Sequence, residues 1–435
     1  MPHFSMPSAT PKALEQLWLR LRSSQLAINS AYAAGSQLSI ALMQALQFVL
    51  LASALGPEEF GRFAAVAAIT SALIPLSAMG LGDVSVMRIA RGASARMCLG
   101  NVLAATSSTG LLGLGLALLI ATTLLSGPET WRLVLLLGIS EILMSKIVDV
   151  SAQLFYGQDK HQISAFFNSL HAVLRLSAAA ALWTGVVGPT AMNWAALHLS
   201  AGLLSACAIL SYTIYRIGRP DFDLRQAIKD ARIGVYFAVI ISARSVQTDS
   251  DKAILTRNTT DATAGIYTAA FRVAFMACMP IFACVTALQA RLFRRGARDG
   301  MTGTLEGVRQ VALIAGCYCS IIGAGLYIAA PAAPWVLGKG YEGSVDILRW
   351  LCLLPFFITF QSIFSAALSG AGDQRRLALV QSLAAVASIS LNLMLVPAHG
   401  WPGAVMAAYG SQTLLLLGLF SIIWGRLSEA RRNTP

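Results

Sequence analysis

The stretch at residues 232–258 reads RIGVYFAVIISARSVQTDSDKAILTRN. It is long and apolar enough to cross a bilayer, since about 20 helical residues span a hydrocarbon core about 30 Å thick. The stretch nevertheless carries Arg244, Asp249, Asp251 and Lys252. Charged side chains are costly inside a membrane, and those that persist usually lie along the pathway of a substrate or an ion. The stretch therefore predicts a membrane-spanning helix that takes part in such a pathway.

The composition of the whole chain is typical of an integral membrane protein. Its 435 residues are 56% hydrophobic and only 12% charged, whereas about 25% of the residues are charged in a typical soluble domain. The apolar runs are separated by turn signals such as Gly56-Pro57 and Gly188-Pro189. These runs predict twelve spans, at residues 29–54, 63–87, 98–126, 132–155, 162–187, 190–215, 232–256, 262–290, 308–330, 345–369, 377–397 and 402–425.

The net charge of +12 is better explained by membrane topology than by a nucleic-acid partner. Of the 32 Lys and Arg residues, 22 lie in the N-terminus, the even-numbered loops and the C-terminal tail, when Arg232 and Arg309 at the ends of their spans are counted with the adjoining loops. Basic residues accumulate on the cytoplasmic side of membrane proteins, so both termini are predicted there. The predicted organisation is a cytoplasmic N-terminus (1–28), an N-lobe of spans 1–6 (29–215), a cytoplasmic linker (216–231), a C-lobe of spans 7–12 (232–425) and a cytoplasmic tail (426–435).

The two halves of the chain resemble a repeat. A shift of 204 residues lays residues 60–63 (FGRF) on residues 264–267 (AGIY), at the start of spans 2 and 8. Each half has six spans, so the halves share one orientation and form a parallel repeat about an axis along the membrane normal. Pro75 and Pro280 fall within a residue of equivalence and predict kinks that act as hinges. The linker pattern predicts a short interfacial helix.

Five basic residues within the spans are candidates for a binding cavity. A helix rises about 1.5 Å per residue, which places Arg244 about 18 Å, Arg272 about 15 Å and Arg175 about 20 Å into their spans. Lys146 is similarly central in span 4, and Lys252 lies nearer the predicted outer end. Two interpretations stay open: the cations bind an anionic substrate, since guanidinium suits phosphate, or they pair with neighbouring acids and carbonyls for stability.

Polar residues near these cations are the candidates for coupling and pairing. Four acids lie near the predicted cavity: Glu141, Asp149, Asp249 and Asp251. The i, i+3 spacings of Lys146–Asp149 and Asp249–Lys252 predict local ion pairs. Glu141 has no partner on its own helix and is the better candidate for binding a proton; coupling to H⁺ or Na⁺ and simple charge compensation stay open for all four acids.

Uncharged polar residues give weaker signals. His171 and His198 are interpreted as packing residues. Three glutamines fall close to one face of span 1, as expected for a helix that lines a hydrated path for glycans: Gln37, Gln44 and Gln47. Hydrogen bonding between helices is an equal alternative for these glutamines.

The sequence gives no sign of a metal centre, a cofactor or an enzymatic site. The seven cysteines lie in or beside apolar segments without a CxxC spacing, as expected for packing residues. The chain has no phosphate-binding Gly-rich loop, HExxH or GxSxG motif, and its odd-numbered loops are short. A cleaved signal peptide is not expected, because residues 1–24 are polar.

Four stretches together resemble a known family. They are residues 50–69 (LLASALGPEEFGRFAAVAAI), 250–273 (SDKAILTRNTTDATAGIYTAAFRV), 367–376 (ALSGAGDQRR) and 391–407 (LNLMLVPAHGWPGAVMA). Their order and spacing are similar to those of the polysaccharide-transporter branch of the multidrug/oligosaccharidyl-lipid/polysaccharide flippase superfamily, whose members include O-antigen flippases. The resemblance covers roughly residues 28 to 425. Of the basic candidates, only Lys252 and Arg272 stand within a matched stretch.

The resemblance implies an all-α polytopic protein with two six-helix lobes around a V-shaped cavity, working by alternating access in the bacterial inner membrane. Such proteins move lipid-linked oligosaccharides, often linked through undecaprenyl pyrophosphate, for the synthesis of surface polysaccharides such as lipopolysaccharide. Expected partners are the lipid-linked glycan, membrane lipids and other polysaccharide assembly proteins, and the protein is expected to be a monomer. The alternatives are a cation-coupled exporter of drugs or small amphiphiles, disfavoured by the lack of an acid in span 1, and a membrane glycan polymerase or ligase.

Overall fold

The computed structural model describes residues 25–125, 127 and 129–432, which are almost entirely helical and contain no strand. The predicted cytoplasmic N-terminus therefore lies mostly outside the described residues. In chain order the helices are α1 (Gln25–Leu73), α2 (Leu81–Ala90), α3 (Ala95–Leu124), α4 (Thr130–Gly138), α5 (Lys146–Gly157), α6 (His161–Trp183), α7 (Ala191–Ile217), α8 (Leu224–Asn258), α9 (Asp261–Met276), α10 (Met279–Ala329), α11 (Ala333–Leu337), α12 (Ser344–Trp350), α13 (Leu354–Gly370), α14 (Gln374–His399) and α15 (Trp401–Arg432).

Every predicted span coincides with helical structure. Among the described residues, seven helical segments are long and apolar enough to cross a membrane, and up to nine when each bent pair counts as one span. The difference from twelve has physical reasons. One of the seven segments, residues 38–90, covers two predicted spans. Span 4 is interrupted by a π-helical turn, Ile139–Ser145, and span 7 carries the charged residues that make it less apolar.

The breaks in the helices lie at glycines and prolines. In α1, Gly56 has a φ of 67°, and Pro57 after it has no N–H to continue the helical hydrogen bonds. The predicted break at Pro75 is present as a 3₁₀ turn, Ile74–Ala78. The predicted break at Pro280 is also present, because α9 and the start of α10 meet at 45°. Both predicted kinks are confirmed, while their action as hinges stays a prediction.

The linker between the halves differs from its prediction. The sequence predicts a short separate interfacial helix here, but residues 224–231 form the first two turns of the long helix α8. Asp223 caps this helix, accepting a hydrogen bond from the backbone N–H of Gln226 at 3.1 Å. No proline or glycine lies between residues 224 and 233 to interrupt the helix, so the linker helix and span 7 are continuous.

The two halves pack in the same pattern and form two lobes. In the N-lobe, α1 packs against α6, and α6 packs against α7. In the C-lobe, the corresponding spans repeat these contacts: α8 packs against α14, and α14 packs against α15. Between the lobes, α1 contacts α8 and α9. The largest buried apolar cluster includes residues of both lobes, among them Leu55, Phe60, Leu255 and Ala264, so the lobes are joined at the predicted outer end.

Candidate functional site

A cavity of about 300 Å³ lies between the two lobes. Helices α1, α4, α6 and α7, with the 3₁₀ and π-helical turns, form its N-lobe side, and α8, α9 and α10 form its C-lobe side. Six of its lining side chains are acidic, basic or imidazole groups: Glu141, Arg175, His198, Asp249, Lys252 and Arg272. Most of the remaining lining is aliphatic or aromatic, with a few amide and hydroxyl groups. The cavity thus combines charge with an apolar surface.

On the N-lobe side, Glu141 is held by two neighbouring helices. It lies in the π-helical turn, an irregularity that often occurs at functional sites. Arg175 on α6 donates from Nη2 to Glu141 Oε1 and, at 3.2 Å, to Ser145 Oγ. His198 on α7 places Nε2 3.2 Å from the same carboxylate oxygen. Ser140 Oγ lies 2.8 Å from His198 Nδ1, so Ser140 orients the imidazole ring toward Glu141.

On the C-lobe side, Lys252 has no N–H left for a ligand. Its Nζ lies 3.0 Å from Asp249 Oδ1 and 3.2 Å from Asp251 Oδ1, and it also donates to the carbonyl of Thr248. An ammonium group has three hydrogens, so these three oxygens satisfy it. The side chain is only 4% exposed and lies over the ring of Phe271. Of the two roles predicted for Lys252, these contacts favour pairing with the acids over contact with a substrate.

The two predicted acids of α8 have different surroundings. Asp249 lines the cavity, and its Oδ2 accepts a hydrogen bond from Ser71 Oγ of the N-lobe at 3.0 Å. Asp251 is buried and outside the lining, and it accepts a hydrogen bond from Tyr267. Asp249 therefore links the lobes beside the cavity, whereas Asp251 belongs to the core of the C-lobe.

Arg272 is the basic residue of the cavity that remains available to a ligand. It lies on α9, lines the cavity and is exposed. Within the described part of the chain it forms neither a hydrogen bond nor an ion pair, although its charge acts on nearby Asp249. A guanidinium group in this position can bind an anion without first losing an internal partner.

Two predicted basic residues lie outside the lining of this cavity. The guanidinium of Arg244 lies over the ring of Phe282, 5.5 Å from its centre. Lys146 and Asp149 form no ion pair in the described chain, contrary to their i, i+3 prediction. The charge of Lys146 nevertheless acts on both Asp149 and Asp83 of α2. Their predicted roles in binding and coupling stay predictions.

Sequence reasoning missed the contact of His198 with the cavity acid. The sequence feature related to this contact is Gly202, one turn after His198 on α7. A Cβ at Gly202 would lie 2.9 Å from Ser140 Oγ. This glycine lets α7 approach the π-helical turn closely. Gln44 and Gln47 do line the cavity, while the side chain of Gln37 lies outside the described residues.

The comparisons with known proteins agree with this architecture. A family model described as polysaccharide biosynthesis protein matches residues 26–289. The chain belongs to the polysaccharide biosynthesis protein family. No curated protein matches it in sequence.

Solved structures show the same fold. The inward-facing conformation of a multidrug resistance MATE family transporter of the MOP superfamily matches with a TM-score of 0.76 at 16% identity, over 92% of this chain and 100% of that chain. An outward-facing conformation of such a transporter matches with a TM-score of 0.65 at 15% identity, over 95% of this chain and 98% of that chain. The lipid II flippase MurJ, in an inward closed conformation, matches with a TM-score of 0.70 at 13% identity, over 91% of this chain and 87% of that chain. The chain is thus a multi-span membrane protein with the two-lobed fold of these transporters.

Proposed function

We propose that the protein is a flippase that moves a lipid-linked oligosaccharide across the bacterial inner membrane for the synthesis of surface polysaccharides such as O-antigen. The observation that carries the proposal is Arg272, an available guanidinium in a largely apolar cavity between two lobes. Family membership supports a role in polysaccharide biosynthesis. No enzymatic step is part of the proposal.

The cavity matches the three chemical parts of such a substrate. Arg272 can bind the phosphate or pyrophosphate through two parallel hydrogen bonds. The amide groups of Gln44 and Gln47 and the hydroxyl groups of Thr70 and Thr268 suit the hydrogen-bonding groups of sugars. The apolar remainder suits the lipid. Arg175 is paired with Glu141 and Lys252 with Asp249, so the charge of Arg272 is the one in the described lining that favours an anion.

Arg175 is the proposed second ligand for the phosphates, and Arg244, which lies outside the present lining, would join it only in another arrangement of the lobes. The guanidinium of Arg175 is bound to Glu141, while its buried Nε has no hydrogen-bond partner. A phosphate that replaced Glu141 on Arg175 would leave the carboxylate free to take up a proton. Glu141 is therefore the proposed site of proton coupling, with Asp249 as the second acid in the cavity.

Movement of the lobes is needed for the proposed transport. A volume of about 300 Å³ lies at the lower end of the range for small-molecule pockets, about 300–1,000 Å³. It accommodates a phosphate group with part of a sugar rather than a whole oligosaccharide. Alternating access, in which the lobes separate at one end at a time, would give the glycan room, and the breaks at Pro75 and Pro280 would permit it.

A cation-coupled exporter of small amphiphiles is the second candidate. Two observations favour it: the fold is shared with multidrug MATE transporters, and two carboxylates line the cavity. Those carboxylates are, however, already paired with Arg175 and Lys252. A cationic drug would have to displace a basic side chain and would then lie beside Arg272, so the cavity suits an anion better.

Binding to the purified protein separates the two candidates. We expect an undecaprenyl-pyrophosphate-linked oligosaccharide to bind, and Arg272→Ala to weaken binding at least tenfold, an effect of about 1.4 kcal/mol. Arg257→Ala is the matched control, since Arg257 is an exposed basic residue at the end of α8. Tight binding of the cation ethidium, lost in Glu141→Gln and unaffected by the glycolipid, would instead establish the exporter.

A further inference from the structure

At the predicted outer end, the two lobes meet at a pair of glycines. A Cβ on Gly61 of α1 would lie 1.9 Å from the carbonyl oxygen of Asp261, and a Cβ on Gly265 of α9 would lie 1.9 Å from that of Pro57. Gly61 and Gly265 are equivalent under the 204-residue repeat. The same position of each lobe therefore lies at this crossing, and only glycine lets the backbones approach so closely.

An ion pair crosses the same interface. Arg62 donates from Nε to Asp261 Oδ2 at 2.9 Å, while its other nitrogens lie 2.8 Å from Glu59 and 2.7 Å from Glu58 on its own helix. The repeat is broken at this position, because the equivalent of Arg62 is Ile266. At this position of the repeat only the N-lobe thus supplies a basic residue. Of the three ion pairs that Arg62 forms among the described residues, the one with Asp261 joins the two lobes.

A loop of the C-lobe adds a third contact. Tyr341, between α11 and α12, is completely buried, and its hydroxyl donates to the carbonyl of Ala52 on α1 at 3.1 Å. In the same loop, a Cβ on Gly340 would lie 3.0 Å from the ring of Pro57. The loop therefore covers the kink between spans 1 and 2.

We propose that these contacts form an outer lock, consisting of the Gly61–Gly265 crossing, the Arg62–Asp261 ion pair and the bond of Tyr341 to Ala52, and that the ion pair sets how often the outer end opens. The glycine crossing closes the outer end sterically and contributes little attraction of its own. Glu58 and Glu59 move with Arg62, so its guanidinium stays neutralised when the lobes part. Asp261 is 31% exposed and passes into water. The bond between the lobes is therefore easily broken and reformed.

The expected effect is modest and measurable. Exposed ion pairs shift an equilibrium by up to about fivefold. Arg62→Gln and Asp261→Asn should each raise the population of the outward-open state by up to about this factor. The double variant should open no further than either single variant, because both changes remove the same bond. Glu58→Gln is the matched control, since it removes an Arg62 contact within one helix and leaves the bond to Asp261.

Labelling of a cavity cysteine tests the outer lock. Ala67 lines the cavity. A cysteine introduced there by Ala67→Cys, in a protein without the native cysteines, therefore reports whether a membrane-impermeant maleimide can reach the cavity. In vesicles whose outer face is exposed, Arg62→Gln and Asp261→Asn should speed labelling up to about fivefold, with Glu58→Gln at the parent rate. Inverted vesicles should show no increase, because opening of the outer end gives no access from the inner side.

Two results would overturn the proposal: parent rates in both single variants, or an equal acceleration in Glu58→Gln. A variant that failed to fold would label faster from both sides and is thereby recognised. In that case Arg62→Lys, which keeps the charge but loses the fixed geometry of the guanidinium, serves as the milder change. From the outer face it should label faster than the parent, by less than about fivefold. The outer lock rests on the proposed alternating access but not on the substrate. Labelling as expected together with absent glycolipid transport would contradict the flippase and leave the lock standing.

Discussion

Arg272 and Lys252 come from one sequence stretch and line one cavity, yet their partners give them different roles. Arg272 has an available guanidinium, whereas Lys252 neutralises Asp249 and Asp251 in the C-lobe. Removing one partner from a buried ionic group typically costs about 3–5 kcal/mol, because the remaining charges are unpaired. We therefore expect Lys252→Ala to lower stability by about this amount and Arg272→Ala to leave it nearly unchanged.

Thermal unfolding of the purified variants in detergent, together with their abundance in the membrane, measures this difference. Arg257→Ala again serves as the control for loss of a positive charge. Equal destabilisation by Arg272→Ala and Lys252→Ala would contradict the assignment of binding to one residue and pairing to the other.

Glu141 gives a second prediction at the level of single residues. Glu141→Gln removes the negative charge that holds Arg175, so the guanidinium becomes available to an anion. We expect the variant to bind the pyrophosphate-linked glycolipid more tightly, about three- to tenfold, on the scale of one typical net hydrogen bond, and to transport it more slowly. Asp149→Asn is the matched control, because Asp149 lies outside the cavity lining. Weaker binding by Glu141→Gln would show that the carboxylate supports the site rather than competing with the ligand.

Among the elements, the broken helices are the parts that we expect to let the lobes move. Pro75 and Pro280 lie at breaks, whereas Pro397 lies inside α14 without ending it. Proline in a helix interior costs about 3 kcal/mol, so its replacement favours a continuous helix. We expect Pro75→Ala and Pro280→Ala to slow transport severalfold without lowering the unfolding temperature. Pro397→Ala should transport at the normal rate, and a normal rate in all three variants would rule out the hinges.

The elements also show how far the sequence predicts the structure. Apolar runs, Gly-Pro turns and the two proline breaks are local features, and they place the spans and the kinks correctly. The continuous helix α8 was missed because the amphipathic pattern of residues 224–231 predicts a helix but does not show whether that helix ends before span 7 begins. The contact of Glu141 with His198 was missed because it depends on which helices are neighbours and on the π-helical turn, neither of which leaves a local pattern. Arg272 lines the cavity, as its depth in span 8 predicts, and its role in binding stays a prediction.

At the scale of the whole molecule, the lobes are closed at one end around a charged cavity. In this state the outer lock separates the cavity from the predicted outside. Transport then requires the lobes to exchange this closure for one at the other end, and Asp249, which bonds Ser71 across the lobes, is among the contacts that must change.

The most direct test of the account is transport of the glycolipid in vesicles that contain only this protein and lipid. An undecaprenyl-pyrophosphate-linked oligosaccharide is placed in the inner leaflet, and its appearance outside is followed by an added enzyme that trims exposed sugars. The account predicts trimming within minutes with the parent protein and Arg257→Ala, and at least tenfold slower trimming with Arg272→Ala. Trimming no faster than in protein-free vesicles, or equally fast with Arg272→Ala, would contradict it.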